Sequence, residues 1–567
     1  MAGRKLLGMG VAQVALAVAL ALPAMAAEKE TARSPVAAYL SGRLAQGAGD
    51  WSLAARHLAE ALKADPDNVQ LLRRTFLLQL GAGQYPEAVA SARRLDKADA
   101  ESFLAASLLI ADDLAAKRLA EAGERVRKLP PDGLGQYVTP LLDAWLKVSA
   151  GDDKAAVEAL APLDKAPGFA ALRALQSALI ADLAGDVAGA RDWYARAAEG
   201  GAPLRLTSLA ANFHERNGDP EAARALWQAY LKDNPANAAA ETALAAVGRG
   251  KVARLVTSPR DGLAEALFDV AGALHQENAG EMALLYGRVS LYLRAEQPMA
   301  RLMVADVLAG RGRHEEALAE YRAIGQTAGL DWSVRLRQVE VLRKLQRETE
   351  AAKLLEAMAA ERPERTDALI RLGDMRRAAE KNEQALAAYD KALLRVKSPG
   401  PKDWPLFYAR AMALDGLGRW PQAEADLLKA LELSPDQPQL LNYLGYSWVD
   451  RNLNLEKGTE LIRRAAELRP DDGYIVDSLG WALFRAGDID GAIATLERAV
   501  QLKPMDPAIN DHLGDAYWAA GRHKEARFQW SRAFQNDPKG ELRTALEEKL
   551  RREPPARKTA ANGRDAE

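Results

Sequence analysis

A very small residue recurs about every 34 positions along this chain, and that spacing constrains the fold more than any other feature of the sequence. The clearest series lies in the C-terminal half, within segments of helical periodicity: Ala423, Gly458, Ala492 and Ala526. Before the next member of the series, a proline closes each segment: Pro435, Pro470, Pro504 and Pro538. Two antiparallel helices approach closely only where the side chain at their crossing is very small. The spacing therefore predicts stacked helix pairs, each of which covers the open apolar face of its neighbour.

The same spacing extends into the N-terminal half. Alanines in the small position follow one another at steps of 34 or 33 residues: Ala54, Ala88, Ala122, Ala156, Ala190 and Ala223. Turn glycines precede most of them: Gly83, Gly151, Gly185 and Gly218. After a break, the series resumes at steps of 34 residues: Ala283, Ala317, Ala351 and Ala385. Together these series predict an all-α solenoid of about 14 helix pairs in two blocks, six before the break and eight after it.

The break separates Ala223 from Ala283 by 60 residues, which is 26 more than one repeat. Its glycines and prolines predict a helix end at Gly248, a short extended piece, and a new helix at Leu263. This segment is a linker between two solenoid halves, or a plug or hinge that lies in their groove. The predicted organisation is a signal peptide (1–26), an N-terminal block (36–247), the linker or break (248–262), a C-terminal block (263–540) with a capping helix to about 552, and a disordered tail (553–567).

The first 26 residues have the features of a secretory signal peptide. A basic start (Arg4 and Lys5) precedes an apolar run over 6–22, and Ala24-Met25-Ala26 forms a small-x-small cleavage pattern. We expect cleavage after Ala26 and export to the periplasm. An uncleaved anchor is the alternative, because the apolar run nearly reaches the length that spans a bilayer. No later segment has 18 uninterrupted apolar residues, so we expect no transmembrane span after cleavage, with peripheral membrane association left open.

Composition and motifs exclude several classes of function. A net charge of −2 is too small for a field that captures nucleic acid. The absence of cysteine excludes disulfides, thiolate metal sites, thiol catalysis and an N-terminal lipid, so we do not expect a lipoprotein. His314-Glu315 lacks the second histidine of a zinc-protease helix, and Gly250-Lys251 lacks the flanking residues of a phosphate loop. We therefore expect no catalytic residue, no metal, no cofactor and no enzyme. An enzyme hidden in the break over 236–262 is the remaining catalytic hypothesis.

The repeat signature is clearest in Asp477-Ser-Leu-Gly-Trp-Ala-Leu-Phe-Arg, which is followed by a turn glycine, Ala492 and Pro504. This signature resembles the tetratricopeptide repeat (TPR), and the resemblance covers nearly all of residues 36–540. It implies a right-handed superhelix of helix pairs with a concave groove. In TPR proteins the groove is lined mainly by residues two before and two after the Leu-Gly core. The corresponding positions here are Tyr408, Met412, Asn442, Tyr446, Asp477, Trp481, Asp511 and Asp515.

We expect this groove to bind an extended or helical segment that carries apolar and basic residues. Aromatic side chains give a large contact area, and aspartates accept charge-assisted hydrogen bonds. The alternative is that Tyr446 and Trp481 pack between helices instead of facing a partner. The family's clamp for C-terminal carboxylates needs Lys, Arg and Asn, of which only Asn442 is present, so that mode is not implied.

The C-terminal block is also similar to that of long envelope TPR proteins of Gram-negative bacteria, such as the LbcA-type protease adaptor. The residues that carry this similarity are 441–448, 477–485 and 511–518. It implies a non-catalytic periplasmic scaffold or adaptor that recruits a processing protease and cell-wall hydrolase clients. Those adaptors are outer-membrane lipoproteins, whereas this chain has no cysteine to lipidate. The second hypothesis is a structural component of an envelope export or assembly machine, for polysaccharide or outer-membrane protein.

Overall fold

A computed structural model describes residues 34–98, 101–165, 168–235, 237–325, 329–537, 540 and 542–552. The predicted signal peptide, the predicted disordered tail and the closing Pro538 lie outside the described residues. Those ranges contain α-helices and two short 3-10 helices, and no β-strand occurs in them. The chain divides into two compact units, unit 1 through Val334 and unit 2 from Arg335. The division into repeat blocks at 248–262 stays a prediction.

Unit 1 contains helices α1 to α17 and the start of α18. Their bounds are α1 (Pro35–Gly47), α2 (Trp51–Ala64), α3 (Val69–Gly81), α4 (Tyr85–Lys97), α5 (Phe103–Ala115), α6 (Leu119–Lys128), α7 (Gly135–Ser149), α8 (Asp153–Ala159), α9 (Ala170–Ala184), α10 (Val187–Ala197), α11 (Leu204–Arg216), α12 (Pro220–Asp233), α13 (Ala238–Ala246), α14 (Pro259–Gln276), α15 (Gly280–Leu293), α16 (Pro298–Gly310), α17 (His314–Ala323) and α18 (Asp331–Lys344).

Unit 2 contains the rest of α18 and helices α19 to α30. Their bounds are α19 (Glu348–Glu361), α20 (Asp367–Ala378), α21 (Asn382–Leu393), α22 (Trp404–Gly416), α23 (Trp420–Leu433), α24 (Pro438–Asp450), α25 (Leu455–Leu468), α26 (Gly473–Arg485), α27 (Ile489–Leu502), α28 (Pro507–Ala519), α29 (His523–Gln535) and α30 (Arg543–Arg551). The 3-10 helices are Ala161–Lys165 in unit 1 and Pro401–Asp403 in unit 2.

Helices pair as the spacing predicts, and the small residue lies in the second helix of each pair. The alanines of the series are fully buried: Ala54, Ala88, Ala122, Ala156, Ala190, Ala223, Ala283, Ala317, Ala351, Ala385, Ala423, Ala492 and Ala526. Gly458 in α25 is buried as well. The prediction of an all-α solenoid of about 14 helix pairs, six before the break and eight after it, is confirmed.

Glycine fits these crossings because the backbones nearly touch. A Cβ atom added to Gly445 in α24 would lie 2.7 Å from the carbonyl oxygen of Gly458 in α25. A Cβ atom on Gly480 would lie 2.5 Å from Cγ of Leu496. The Leu-Gly pair in the sequence therefore marks the point where the first helix crosses the second. Turn glycines have a separate role, since Gly83 and Gly185 adopt φ values of +72° and +84° that side chains disfavour.

An arginine in the second helix also fixes the loop that closes the preceding pair. Arg94 donates to the carbonyl oxygen of Pro66 at 2.6 Å. In the same way, Arg498 donates to Pro470 and Arg532 to Pro504, at 2.8 and 2.7 Å. Hydrogen bonds from a charged donor are stronger than neutral ones. The closing prolines thus end a helix and present an acceptor to the next pair.

Two helices stand outside the pairs of the series. Helix α13 follows the sixth pair, and α30 follows the last pair at the position where the sequence predicts a capping helix. Helix α14 begins at Pro259 and not at Leu263, because Ser258 accepts a hydrogen bond from the Asp261 amide and proline fits the first turn. Gly262 therefore lies inside this helix. Residues 247–258 are non-helical.

Candidate partner-binding faces

The predicted groove residues lie on four neighbouring first helices of unit 2. We call the surface formed by the first helices of a unit its first-helix face. In unit 2 this face includes α22, α24, α26 and α28, where α24 contacts α26 and α26 contacts α28. Asp477 and Asp511 are buried, and the other six are half-buried: Tyr408, Met412, Asn442, Tyr446, Trp481 and Asp515. The face thus presents a row of partly exposed side chains, although none is fully exposed.

Aromatic rings on this face contact rings of the adjacent first helix. Tyr408 packs edge-on against Tyr443, with ring centroids 5.7 Å apart. Trp481 stacks on His512 of α28 at 4.3 Å and on Phe484 of its own helix at 5.2 Å. Tyr446 and Trp481 both pack against a small cluster formed by Val449, Ile462 and Ala482. Both residues therefore bridge α24 and α26 and keep part of their surface exposed.

Polar groups of the face are largely paired within the chain. Nδ1 of His512 lies 3.0 Å from both carboxylate oxygens of Asp477. Burial disfavours the charged imidazole, but the nearby carboxylates of Asp477, Asp511 and Asp515 outweigh it and raise the pKa of His512. The contact between the His512 imidazole and the Asp477 carboxylate thus joins α28 to α26. Sequence reasoning missed His512, although it directly precedes the Leu-Gly pair of α28.

The last two predicted aspartates bind a lysine of the final helix. Nζ of Lys549 on α30 lies 2.7 Å from Oδ1 of Asp511 and 2.8 Å from Oδ2 of Asp515. Nε1 of Trp530 also donates to Asp515, at 3.2 Å. Burial and the charge of Asp515 raise the pKa of Asp511, whereas Lys549 lowers it. The predicted acceptors for a basic partner are therefore already engaged by a basic residue of this chain.

Two polar atoms on the same face are buried without a hydrogen-bond partner among the described residues. These atoms are Oδ1 of Asn442 and Nε1 of Trp481. Buried polar groups in proteins are nearly always hydrogen-bonded, so such an atom calls for an explanation. Half-buried aromatic and thioether side chains of the face include Tyr408, Met412, Tyr446, Trp481, Phe484 and Trp518.

The corresponding face of unit 1 is covered by the chain itself. The non-helical segment 247–258 lies against α9 and α11, where Asn212 donates to the carbonyl oxygen of Ala253 at 2.9 Å. The amide of Gly248 donates to Glu215 at 2.8 Å. Arg254 lies 3.5 Å from a carboxylate oxygen of Asp182. These contacts hold the break segment along the first helices of unit 1.

Helix α14 continues along the same face. Gly262 packs so closely on Trp145 of α7 that a Cβ atom would lie 2.1 Å from the indole ring. Asp269 accepts a hydrogen bond from Gln176 of α9 at 2.8 Å. Enclosure at this position and the nearby charge of Glu265 raise the pKa of Asp269 to about 8. The close contact with Trp145 is thus what requires glycine at position 262, and no turn is involved.

Glu265 of α14 forms a buried ion pair with Arg205 of α11. Glu265 is 1% exposed and accepts from Nε of Arg205 at 3.0 Å and from one terminal guanidinium nitrogen of the same arginine. Arg294 adds a longer contact to the same carboxylate at 3.5 Å. A charge at such depth requires a partner, because an unpaired buried charge is costly. Glu265 and Arg205 therefore fix the register of α14 on unit 1.

Helix α15 covers two further first helices of unit 1, α3 and α5. Arg288 donates to the carbonyl oxygen of Gly81, the last residue of α3, at 3.3 Å. The hydroxyl of Tyr292 donates to Asp112 of α5 at 2.5 Å. Residues 247–293 thus lie along α3, α5, α7, α9 and α11, the helices that would otherwise form an open groove. Unit 1 has no comparable free first-helix face over these five helices.

A family model described as tetratricopeptide repeat matches residues 39–103, 336–402, 408–473 and 478–541. The chain is a tetratricopeptide repeat protein. One TPR repeat-containing protein of Pseudomonas aeruginosa is 34% identical over 177 residues, which are 31% of this chain and 29% of that relative. This chain therefore spans under a third of the length of that curated relative. TPR repeats bind protein or peptide partners, so this TPR protein has the architecture of an interaction scaffold.

Solved structures of other TPR proteins align with this one at low identity. The alignment with the APC/C hetero-tetramer Cut9–Hcn1 spans 92% of this chain and 97% of that chain, with 15% identity and a TM-score of 0.37. The alignment with a thermophilic TPR protein of Thermus thermophilus spans 33% of this chain and 99% of that chain, with 23% identity and a TM-score of 0.29.

The described part of this TPR protein contains no group of three or more His, Asp or Glu side chains that could hold a metal ion. No helix in that part is long and apolar enough to cross a bilayer. TPR proteins typically act without catalysis, and the absence of an enzymatic activity here stays a prediction.

Proposed function

We propose that this TPR protein is a non-catalytic periplasmic scaffold that binds its partner through the first-helix face of unit 2. The observation that carries the proposal is the contrast between the two faces. Residues 247–293 cover the face of unit 1 from α3 to α11, whereas the face of unit 2 keeps half-buried Met412, Phe484 and Trp518. A row of partly exposed aromatic and methionine side chains gives a partner protein a large contact area at low entropic cost.

The partner that we propose is an envelope protease with its cell-wall hydrolase clients. The similarity of the C-terminal block to LbcA-type adaptors supports this choice, as does the predicted signal peptide. Because the chain has no cysteine, attachment through an N-terminal lipid is not part of the proposal. A role in an export or assembly machine for polysaccharide or outer-membrane protein is the second candidate.

Affinity capture from periplasm, followed by mass spectrometry, tests the proposal. The groove variant Met412→Ala/Phe484→Ala changes half-buried side chains and leaves the Asp477–His512 and Lys549 contacts in place. The matched control is Phe528→Ala on α29, a side chain that is 60% exposed. We expect the groove variant to lose the captured protease and its clients by about tenfold, and the control to retain them. Equal capture by both variants would refute the proposal, and capture of export subunits would favour the second candidate.

A further inference from the structure

The last helix of the chain sits where the first helix of a further repeat would sit. His512 of α28 contacts Asp477 of α26, and Tyr443 of α24 contacts Tyr408 of α22. Lys549 of α30 contacts Asp511 of α28 in the same manner. Each first helix thus places one side chain against a groove position of the preceding first helix. Helix α30 continues this series by one step.

Few contacts other than the lysine hold α30 in place. Leu546 is the one fully buried residue of the helix, and it packs into the cluster around Trp530 and Ala533. Arg527 donates to the carbonyl oxygen of Leu550 at 2.8 Å. The helix has nine residues, a length at which an isolated helix is marginal in water. Leu550 packs half-buried against the same cluster, so α30 is held by one fully buried leucine, the lysine and a few peripheral contacts.

The segment that covers unit 1 differs strongly in this respect. Helices α14 and α15 contain many side chains that are fully buried: Leu263, Ala264, Ala266, Leu267, Ala271, Ala283, Leu284, Tyr286 and Val289. Removing them would expose most of the core of unit 1. Both segments occupy first-helix faces, but α30 buries one side chain completely whereas α14 and α15 bury many.

We propose that the surface of α28 and α29 is a docking site for a short amphipathic partner helix, and that α30 occupies it until the partner displaces it. The partner helix carries a lysine or arginine directly before one leucine and three residues after another. That spacing is the one of Leu546, Lys549 and Leu550 in α30. Charge complementarity supports this choice, because Asp511 and Asp515 lie side by side at the site. The inference rests on the proposal that unit 2 binds partner segments.

A labelled peptide of residues 542–552 tests the inference on the full chain. Helix α30 is released by Leu546→Ala/Lys549→Ala, and peptide binding is followed by fluorescence anisotropy. We expect the released variant to bind the peptide at least about tenfold more tightly than the wild-type chain. A peptide with glutamate in place of the lysine, and a released variant that also carries Asp511→Asn/Asp515→Asn, should each lose that gain. Equal binding of the lysine and glutamate peptides would overturn the inference.

Wild-type protein provides a second measurement that does not depend on the folding of the variant. An excess of the lysine peptide should increase amide hydrogen exchange in residues 543–551, whereas the glutamate peptide should not. Unchanged exchange of α30 would overturn the inference. Peptide binding is independent of periplasmic capture, so the two proposals fail separately. Peptide binding without groove-dependent capture would support the α30 site and refute the scaffold proposal. Groove-dependent capture without peptide binding would refute only the α30 site.

Discussion

Glycine and alanine at the helix crossings determine how closely the pairs of this fold pack. These positions could be predicted from sequence, because the requirement for a very small side chain repeats at each crossing with nearly constant spacing. Gly445 and Gly458 show this from both helices, since each would place a Cβ atom within 3 Å of the other's carbonyl oxygen. Residues with no repeating requirement, such as Gly262 under Trp145, could not be predicted. Their constraint comes from a helix more than 100 residues earlier in the chain.

The same substitution should have opposite effects at two glycines. Gly445→Ala forces the crossing of α24 and α25 apart, and we expect it to lower the free energy of unfolding by about 1–3 kcal/mol. Gly272→Ala adds a Cβ atom inside α14 with no atom within 4 Å, and we expect a gain of up to about 1 kcal/mol. Thermal and denaturant unfolding of each variant, compared with wild type, gives both values. Shifts of the same sign would show that close approach does not explain the repeated glycine.

Neighbouring first helices of unit 2 contact each other through side chains that the sequence analysis assigned to binding a partner protein. The eight predicted groove residues do lie on the expected helices, because the helical register follows from the Leu-Gly pairs. Their internal partners could not be predicted, since His512 and Lys549 become neighbours of the aspartates only through packing of the next helix. The sequence also left the break segment open between linker and plug. Its contacts join Ala253 to Asn212 and Arg254 to Asp182, which no local pattern reveals.

The His512–Asp477 contact between α28 and α26 should make the stability of unit 2 depend on pH. The folded pKa of His512 is raised above its unfolded value of about 6.5, so its contribution is complete below that pH. The contribution is lost as pH rises through the folded pKa, at about 1.4 kcal/mol per unit of difference. Asp511, Asp515 and Lys549 also face this histidine, so wild type is compared with His512→Asn at each pH. We expect the difference in unfolding free energy to be larger at pH 6 than at pH 9, and a constant difference would exclude this linkage.

Whole-molecule organisation follows from what covers each first-helix face. Unit 1 fills its own face with helices that belong to its core, and unit 2 leaves its face open except at the end, where α30 lies. An all-α TPR solenoid could be predicted in full from the repeats, but this difference in accessibility could not. It arises because the superhelix of unit 1 brings residues far apart in sequence onto the same face. The scaffold role proposed for the chain therefore belongs to unit 2.

Site-specific photocrosslinking in periplasm tests this central claim most directly. A photoreactive phenylalanine analogue is placed at Met412 or Phe484 on the first-helix face of unit 2, and at Leu428 or Phe528 on its second helices. Leu428 and Phe528 are 48% and 60% exposed, so they sample the outer surface at equal or greater accessibility. We predict that one partner is crosslinked from both face positions and from neither outer position. Crosslinking of that partner from the outer positions alone would contradict the account.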